Sequence, residues 1–221
     1  MTNFDLIAEA IEMMNAGNNE SAIARLKQFT ALNTPKVKGG GKVKVYDWID
    51  PKEPYAYCNG VYHDADNGVA VATDTHVLLV SKPDYNANLA GKCIDKKGDA
   101  IKARYPDYMC VIPKNGLTER EVNLTRIAEL LSEYRAEKKI NKTIDYLAFN
   151  IGDKDNPFYV SPKFCKLLIT LPAGKFYFSE PLRPLLYKSD NGDYTAIVMP
   201  IRIDEKCIGM EKVTYSDGYK Y

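Results

Sequence analysis

His63, Asp64, Asp66, Asp74 and His76 form the densest set of side chains able to ligate a metal, and they include both histidines of the chain. Asp64-x-Asp66-x-Gly68 begins like a calcium loop, in which alternate residues supply oxygens and a glycine makes the sharp turn. The last ligand of such a loop should be a bidentate glutamate, and the residue at that spacing is Thr75. The same residues make an ordinary polar hairpin turn, which is the preferred reading; a small metal-dependent enzyme built on the His63/His76 region is the alternative from another class. Nucleophilic catalysis needs an activated Ser or Cys, yet none sits in a glycine elbow, and two histidines so close in sequence leave a triad few ways to assemble. Gly39-Gly40-Gly41-Lys42 lacks the Ser/Thr and the following helix of a phosphate-binding loop, so it reads as a hinge entering a strand. Cys58, Cys93, Cys110, Cys165 and Cys207 contain no C-x-x-C pair and read as reduced, mostly packed thiols. These groups assign no catalytic residue, no metal and no cofactor.

Basic side chains offer a different chemistry, the binding of phosphate. Arg135, Lys138 and Lys139 flank a helical segment at 122–138, and Lys163 and Lys166 lie on a shorter one; these five are the candidates to face DNA. The first helix also carries Glu129, Glu133 and Glu137 at a spacing of four, a like-charge stripe that would repel phosphates if turned towards them. A solvated helix face is the preferred reading.

The elements that must position these residues follow from length and periodicity. A chain of 221 residues with 45 % hydrophobic content can bury a core, and 30 basic against 29 acidic residues leave a net charge of +1, so no whole-chain field draws it to nucleic acid or an anionic membrane. The N-terminus carries acids where a signal peptide carries bases, and no apolar run approaches the ~18 residues of a membrane span. A cytoplasmic protein with no membrane partner is expected. Apolar residues at helical spacing predict helices over 4–16 and 20–32, broken at Gly17-Asn18-Asn19, hence a helical hairpin over 1–34. Short β-rich runs with Asp/Asn/Gly turns predict hairpin strands over 55–82, followed by an extended connector over 83–113. A helix over 122–138, strands at 143–151 and 157–160, a helix at 162–170 and strands near 175–180, 184–189 and 193–203 complete an α+β pattern. The tail, 204–221, is polar and tyrosine-rich.

Four stretches together resemble bacterial DNA polymerase sliding clamps, the β subunit. Tyr57-Cys58-Asn59-Gly60-Val61-Tyr62, then Ala72-Thr73-Asp74-Thr75-His76-Val77-Leu78, resemble a segment that reads roughly Y-L-N-G-hydrophobic and A-T-D-G-H-R-L. The run from Arg104 to Pro113, RYPDYMCVIP, is similar to that family's R-F-P-D-Y-R-R-V-hydrophobic-P connector between its second and third domains. Phe158-Tyr159-Val160-Ser161 looks like its F-N-V-S, and the run from Tyr194 to Ile203, YTAIVMPIRI, like its terminal V-V-M-P-M-R-L strand. The resemblance keeps the family's order from residue 55 to 203.

The resemblance implies units in which a helix lies on antiparallel strands, six domains closing a ring, and a non-catalytic function: encircling DNA and tethering polymerases and repair enzymes by their short apolar linear motifs. The positions matching the family's peptide cleft are Thr73, His76, Leu78, Pro106, Val111, Ile197, Met199, Pro200 and Ile201. Thr75 stands where the family has glycine, and Val77 and Cys110 where it has arginines. The family's first domain has no visible counterpart, and the stretch between Tyr85 and Tyr105 is too short to complete its middle domain. The expected organisation is a helical hairpin at 1–34, an abbreviated clamp-like domain with connector at 42–113, a clamp-like domain at 114–203 and a tail at 204–221. Such a chain is expected to bind polymerase or repair-enzyme peptides, with DNA binding open, or to serve as a clamp-derived regulatory module that does not encircle DNA. The tail, which carries apolar and aromatic residues, is expected to pack beside Met199 and Pro200, either completing a sheet edge or occupying the cleft.

Overall fold

The computed structural model describes residues 3–24, 26, 43–140, 142, 148–152, 157–178, 182–202 and 213–215. The chain divides into two compact units, Met1–Lys36 and Val37–Tyr221. In the first, helix α1 (Asn3–Asn15) ends where Gly17 takes a left-handed conformation, φ 76°, and its N–H donates back to the Met14 carbonyl. The Asn18 side chain accepts from the Ser21 N–H and starts a second helical stretch, α2, at 19–24. The Gly-Asn-Asn breaker thus acts as a helix stop and a helix cap in succession. The rest of the expected 20–32 helix falls largely outside the described residues.

The second unit is built on a nine-stranded antiparallel sheet. Its strands are β1 (Gly60–Asp64), β2 (Val69–Thr73), β3 (Val77–Ser81), β4 (Cys93–Asp95), β5 (Ala100–Ile101) and β6 (Thr118–Arg120). A smaller sheet of β7 (Ala148–Asn150) and β8 (Tyr159–Val160) intervenes, and β9 (Gly174–Phe178), β10 (Leu185–Ser189) and β11 (Tyr194–Val198) return to the large one. The order across it is β5-β4-β1-β2-β3-β11-β10-β9-β6. The two halves of the chain therefore join along β3 and β11, with Leu78 opposite Ile197 and Val77 opposite Val198.

The central strands bury both faces, which is why β2 is a run of Val and Ala with no polar alternation. Ala70, Ala72, Leu79, Ala196 and Val198 face the larger core, where helices α3 (Leu124–Ile140) and α4 (Pro162–Leu168) pack. Ile127, Leu130, Leu131 and Tyr134 supply the buried stripe of α3 at helical spacing. On the other face Val69, Val71, Leu78, Leu186 and Ile197 are covered by Tyr105, Tyr108, Ile112 and Leu117, so the stretch 105–117 closes a second core.

Four boundaries differ from the sequence expectation, each for a physical reason. The stretch 83–113 is not all extended connector: β4 and β5 form a hairpin, since Asp95 Oδ1 accepts from the Lys97 and Asp99 N–H groups and Gly98 adopts φ 97°. The polar edge strand β6 lacks alternation and leaves no signal in the sequence. The strand expected at 193–203 stops at Val198, two residues before Pro200, which has no N–H to donate. Of the tail, Val213–Tyr215 forms strand β12, parallel to β7, and completes the edge of the small sheet. Among the described residues no helix is long and apolar enough to cross a membrane.

Candidate functional site

The turn between β2 and β3 is held by its own side chains. Thr73 Oγ1 donates to the Val77 carbonyl at 2.6 Å and accepts from the Thr75 N–H. Asp74, 2 % exposed, accepts through Oδ1 from the N–H groups of His76 and Val77 at 3.0 and 2.9 Å. Thr75 sits at φ 74°, a left-handed conformation that costs a β-branched residue strain, and the surrounding hydrogen bonds offset it. Lys163, at the start of α4, ties the turn to the rest of the core: its Nζ lies 3.0 Å from Asp74 Oδ2 and 2.8 Å from Asp50 Oδ2. Burial pushes the Lys163 pKa down, but its bonds to Asp50 and Asp74 outweigh that and raise it. His76 leaves the turn with its ring stacked on Phe164 at 6.0 Å, and its carbonyl accepts from the Met199 N–H at 2.8 Å. The exit of β11 is thereby fixed beside the entry of β3.

The opposite wall is the stretch 104–111. Tyr105 stacks on Tyr62 at 4.7 Å, meets Tyr57 edge-on at 5.9 Å, and donates its hydroxyl to the Val71 carbonyl. Asp107 caps the short 3-10 turn Tyr108–Val111 by accepting from the Met109 N–H. The Tyr108 hydroxyl donates to Asp64 Oδ2 at 2.7 Å. Burial pushes the Asp64 carboxyl up, while bonds from Asn67, Tyr108 and the Asp66 and Asn67 backbone together hold it below the usual carboxylate range. Burial also pushes the Tyr105 and Tyr108 hydroxyls up, so both remain protonated donors.

Between the two walls lies a cavity of about 240 Å³. Thr73, His76, Leu78, Pro106, Val111, Ile197 and Met199 all line it. Leu78 and Ile197 are buried in its floor, and Val111 and Met199 stand exposed at its mouth. Pro200 and Ile201 are not among the lining residues, because the chain turns away after Met199 and the Ile201 N–H donates to the Tyr159 carbonyl. Sequence reasoning missed Tyr57, Thr75, Val77, Tyr105, Asp107, Tyr108 and Pro184. All but Pro184 lie within the stretches that carried the resemblance, so proximity to the recognised positions was the available signal. The arrangement can hold an apolar side chain, with hydroxyl, carboxylate and imidazole groups at its rim.

The other candidates are dispersed. His63 Nδ1 accepts from the Asn86 N–H inside the β1 region, away from the turn that holds His76. Among the described residues, no group of three or more His, Cys, Asp or Glu could hold a metal. Of the basic candidates, Lys163 is committed to Asp50 and Asp74, and Lys138 donates to the Tyr134 hydroxyl. Arg135, Lys139 and Lys166 are exposed on α3 and α4. Arg126 pairs with both Glu129 and Glu133 at 3.0 Å, so part of the acidic stripe is internally neutralised.

No family model and no curated protein sequence matches the chain. Solved structures do match it. The Caulobacter crescentus β sliding clamp, solved with polyethylene glycol bound, superposes with a TM-score of 0.53 at 17 % identity over 73 % of this chain and 63 % of that one. The Pseudomonas aeruginosa DNA polymerase sliding clamp with ligand gives 0.52 at 14 % identity, over 78 % and 70 % of the two chains. The clamp from Bartonella birtlesii bound to griselimycin gives 0.51 at 17 % identity, over 76 % and 64 %. The chain has the sliding-clamp fold, and it spans less than two thirds of the length of the Caulobacter clamp it matches.

Proposed function

We propose that this chain is a non-catalytic, clamp-like accessory protein of DNA replication or repair, which captures short linear motifs of polymerases or repair enzymes by seating an apolar side chain in the 240 Å³ cavity. The observation that carries this reading is the convergence on one cavity of seven of the nine residues matching the clamp peptide cleft. They come from three separate stretches of sequence, and an apolar floor with a partly exposed rim is what anchors a peptide side chain. The Bartonella clamp was solved with griselimycin bound and the Pseudomonas clamp with a ligand, which supports ligand binding as a use of this fold.

Calorimetric titration with short peptides carrying two adjacent large apolar residues tests it. The unmodified protein should bind, and Met199→Asp, which sets a charge at the mouth of an apolar cavity, should weaken binding by about 2 kcal/mol or more. No binding by the unmodified protein would remove the reading.

A second reading, a clamp-derived interaction module that does not encircle DNA, is favoured by the pairing of Lys163 with Asp50 and Asp74, which offsets the charge of one candidate DNA-facing cation. Solution mass measured with and without circular DNA separates the two.

A further inference from the structure

Tyr105, Pro106, Asp107 and Tyr108 have two sides: they line the apolar cavity and also a neighbouring one of about 520 Å³ that opens to solvent. The second cavity differs in chemistry. Asp64, Asp66 and Asp107 contribute three carboxylates against the single guanidinium of Arg104. Asp64 is held ionised by its hydrogen bonds, and the Asp66 carboxylate has no hydrogen-bond or ion-pair partner among the described residues. The aromatic lining is continuous with the first cavity, since Tyr62 stacks on Tyr105, Tyr105 meets Tyr57, and Tyr57 stacks on Tyr55 at 5.4 Å. Met109 at the second cavity and Val111 at the first are both exposed, so an apolar strip runs along the connector from one mouth to the other.

We propose that the second cavity receives an arginine side chain of the same peptide whose apolar side chain fills the first, which makes a basic residue beside the apolar anchor a specificity determinant. This inference rests on the peptide-capture reading above. Arginine fits because its flat cation can lie against tyrosine faces while its N–H groups reach carboxylates. The net negative lining disfavours phosphate, and the aromatic wall distinguishes the cavity from a plain acidic turn. An extended peptide advances ~3.3 Å per residue, so a few residues cross the shared wall.

The test uses the full chain and nonapeptides with two central large apolar residues in an Ala/Ser background, with Arg, Ala or Glu placed in turn at each flanking position. At one position Arg should bind about fivefold more tightly than Ala, and Glu more weakly, with the advantage shrinking in high salt. Asp66→Lys should abolish the Arg preference and favour Glu, while leaving the Ala peptide unchanged; Asp66→Asn should reduce the preference without reversing it. Met199→Asp should weaken every peptide alike. Equal binding of Arg and Ala peptides at all positions, or a preference untouched by Asp66→Lys, overturns this inference alone. Failure of every peptide to bind the unmodified protein overturns it together with the capture reading.

Discussion

Thr75 and Asp64 show how single side chains shape the cavity's surroundings. Thr75 occupies a left-handed position that glycine adopts freely, so Thr75→Gly should raise stability by about 0.5–1 kcal/mol in chemical denaturation, because relief of strain in a β-branched residue exceeds the added chain entropy. The resemblance marked this position as a glycine site, and the positive φ gives the physical reason. Asp64 has a folded pKa below its ordinary value of 3.8, so its contribution is present above that value and disappears as pH falls through the folded pKa. Tyr108→Phe removes one bond that stabilises the carboxylate and should cost about 1.5 kcal/mol at neutral pH. The cost should shrink in acid below the folded pKa, where the carboxyl is protonated in both variants. Equal costs at pH 7 and in strong acid would show that the bond to Asp64 is not what Tyr108 contributes.

At the scale of elements, Gly60 explains why the Asn-Gly-Val-Tyr motif carries a glycine. Its φ is ordinary, but a Cβ there would lie 2.6 Å from the Ile94 carbonyl oxygen and 2.7 Å from Ile101 Cδ1. Gly60→Ala should therefore push β4 and β5 away from β1, lowering stability by about 1–3 kcal/mol and speeding amide exchange across 93–101. Unchanged exchange there would contradict the β1–β4 pairing. Elements with strong periodicity were legible in the sequence: Leu124, Ile127, Leu131 and Tyr134 mark one face of α3, to whose buried stripe the structure adds Leu130 while leaving Leu124 only partly buried, and β2 is one of the short β-rich runs at 55–82. The β4–β5 hairpin was not, because β5 is an edge strand of two residues whose pairing depends on the Asp95 turn. The candidate site was legible through its motifs at Thr73, His76, Leu78 and Met199, whereas Pro184 lies outside every motif and reaches the cavity only because the sheet and connector fold around it. The end of β11 is hidden in the sequence because alternation continues through Ile201, while Pro200 and the Ile201 bond to Tyr159 take the chain out of the ladder.

For the molecule as a whole, the large sheet unites both halves of the clamp-like unit along β3 and β11, and the cavity lies between that seam and the connector. Among the described residues Lys163 is ion-paired with Asp50 and Asp74 and Arg126 with Glu129 and Glu133, Arg135, Lys139 and Lys166 stay exposed, and the net charge of the chain is only +1. Counterion release from neutralised phosphates supplies most sequence-independent affinity for DNA and weakens steeply as salt rises, so the isolated chain should not be retained on circular DNA at physiological salt. Light scattering showing a stable ring, together with retention on circular but not linear DNA, would overturn that expectation. Where partner capture occurs is read out by amide chemical-shift mapping during titration with a short peptide that carries two adjacent large apolar residues. Perturbations should concentrate at Thr73–Leu78, Tyr105–Val111 and Ile197–Met199; saturable binding that perturbs a different surface and leaves these three stretches unmoved would place capture elsewhere.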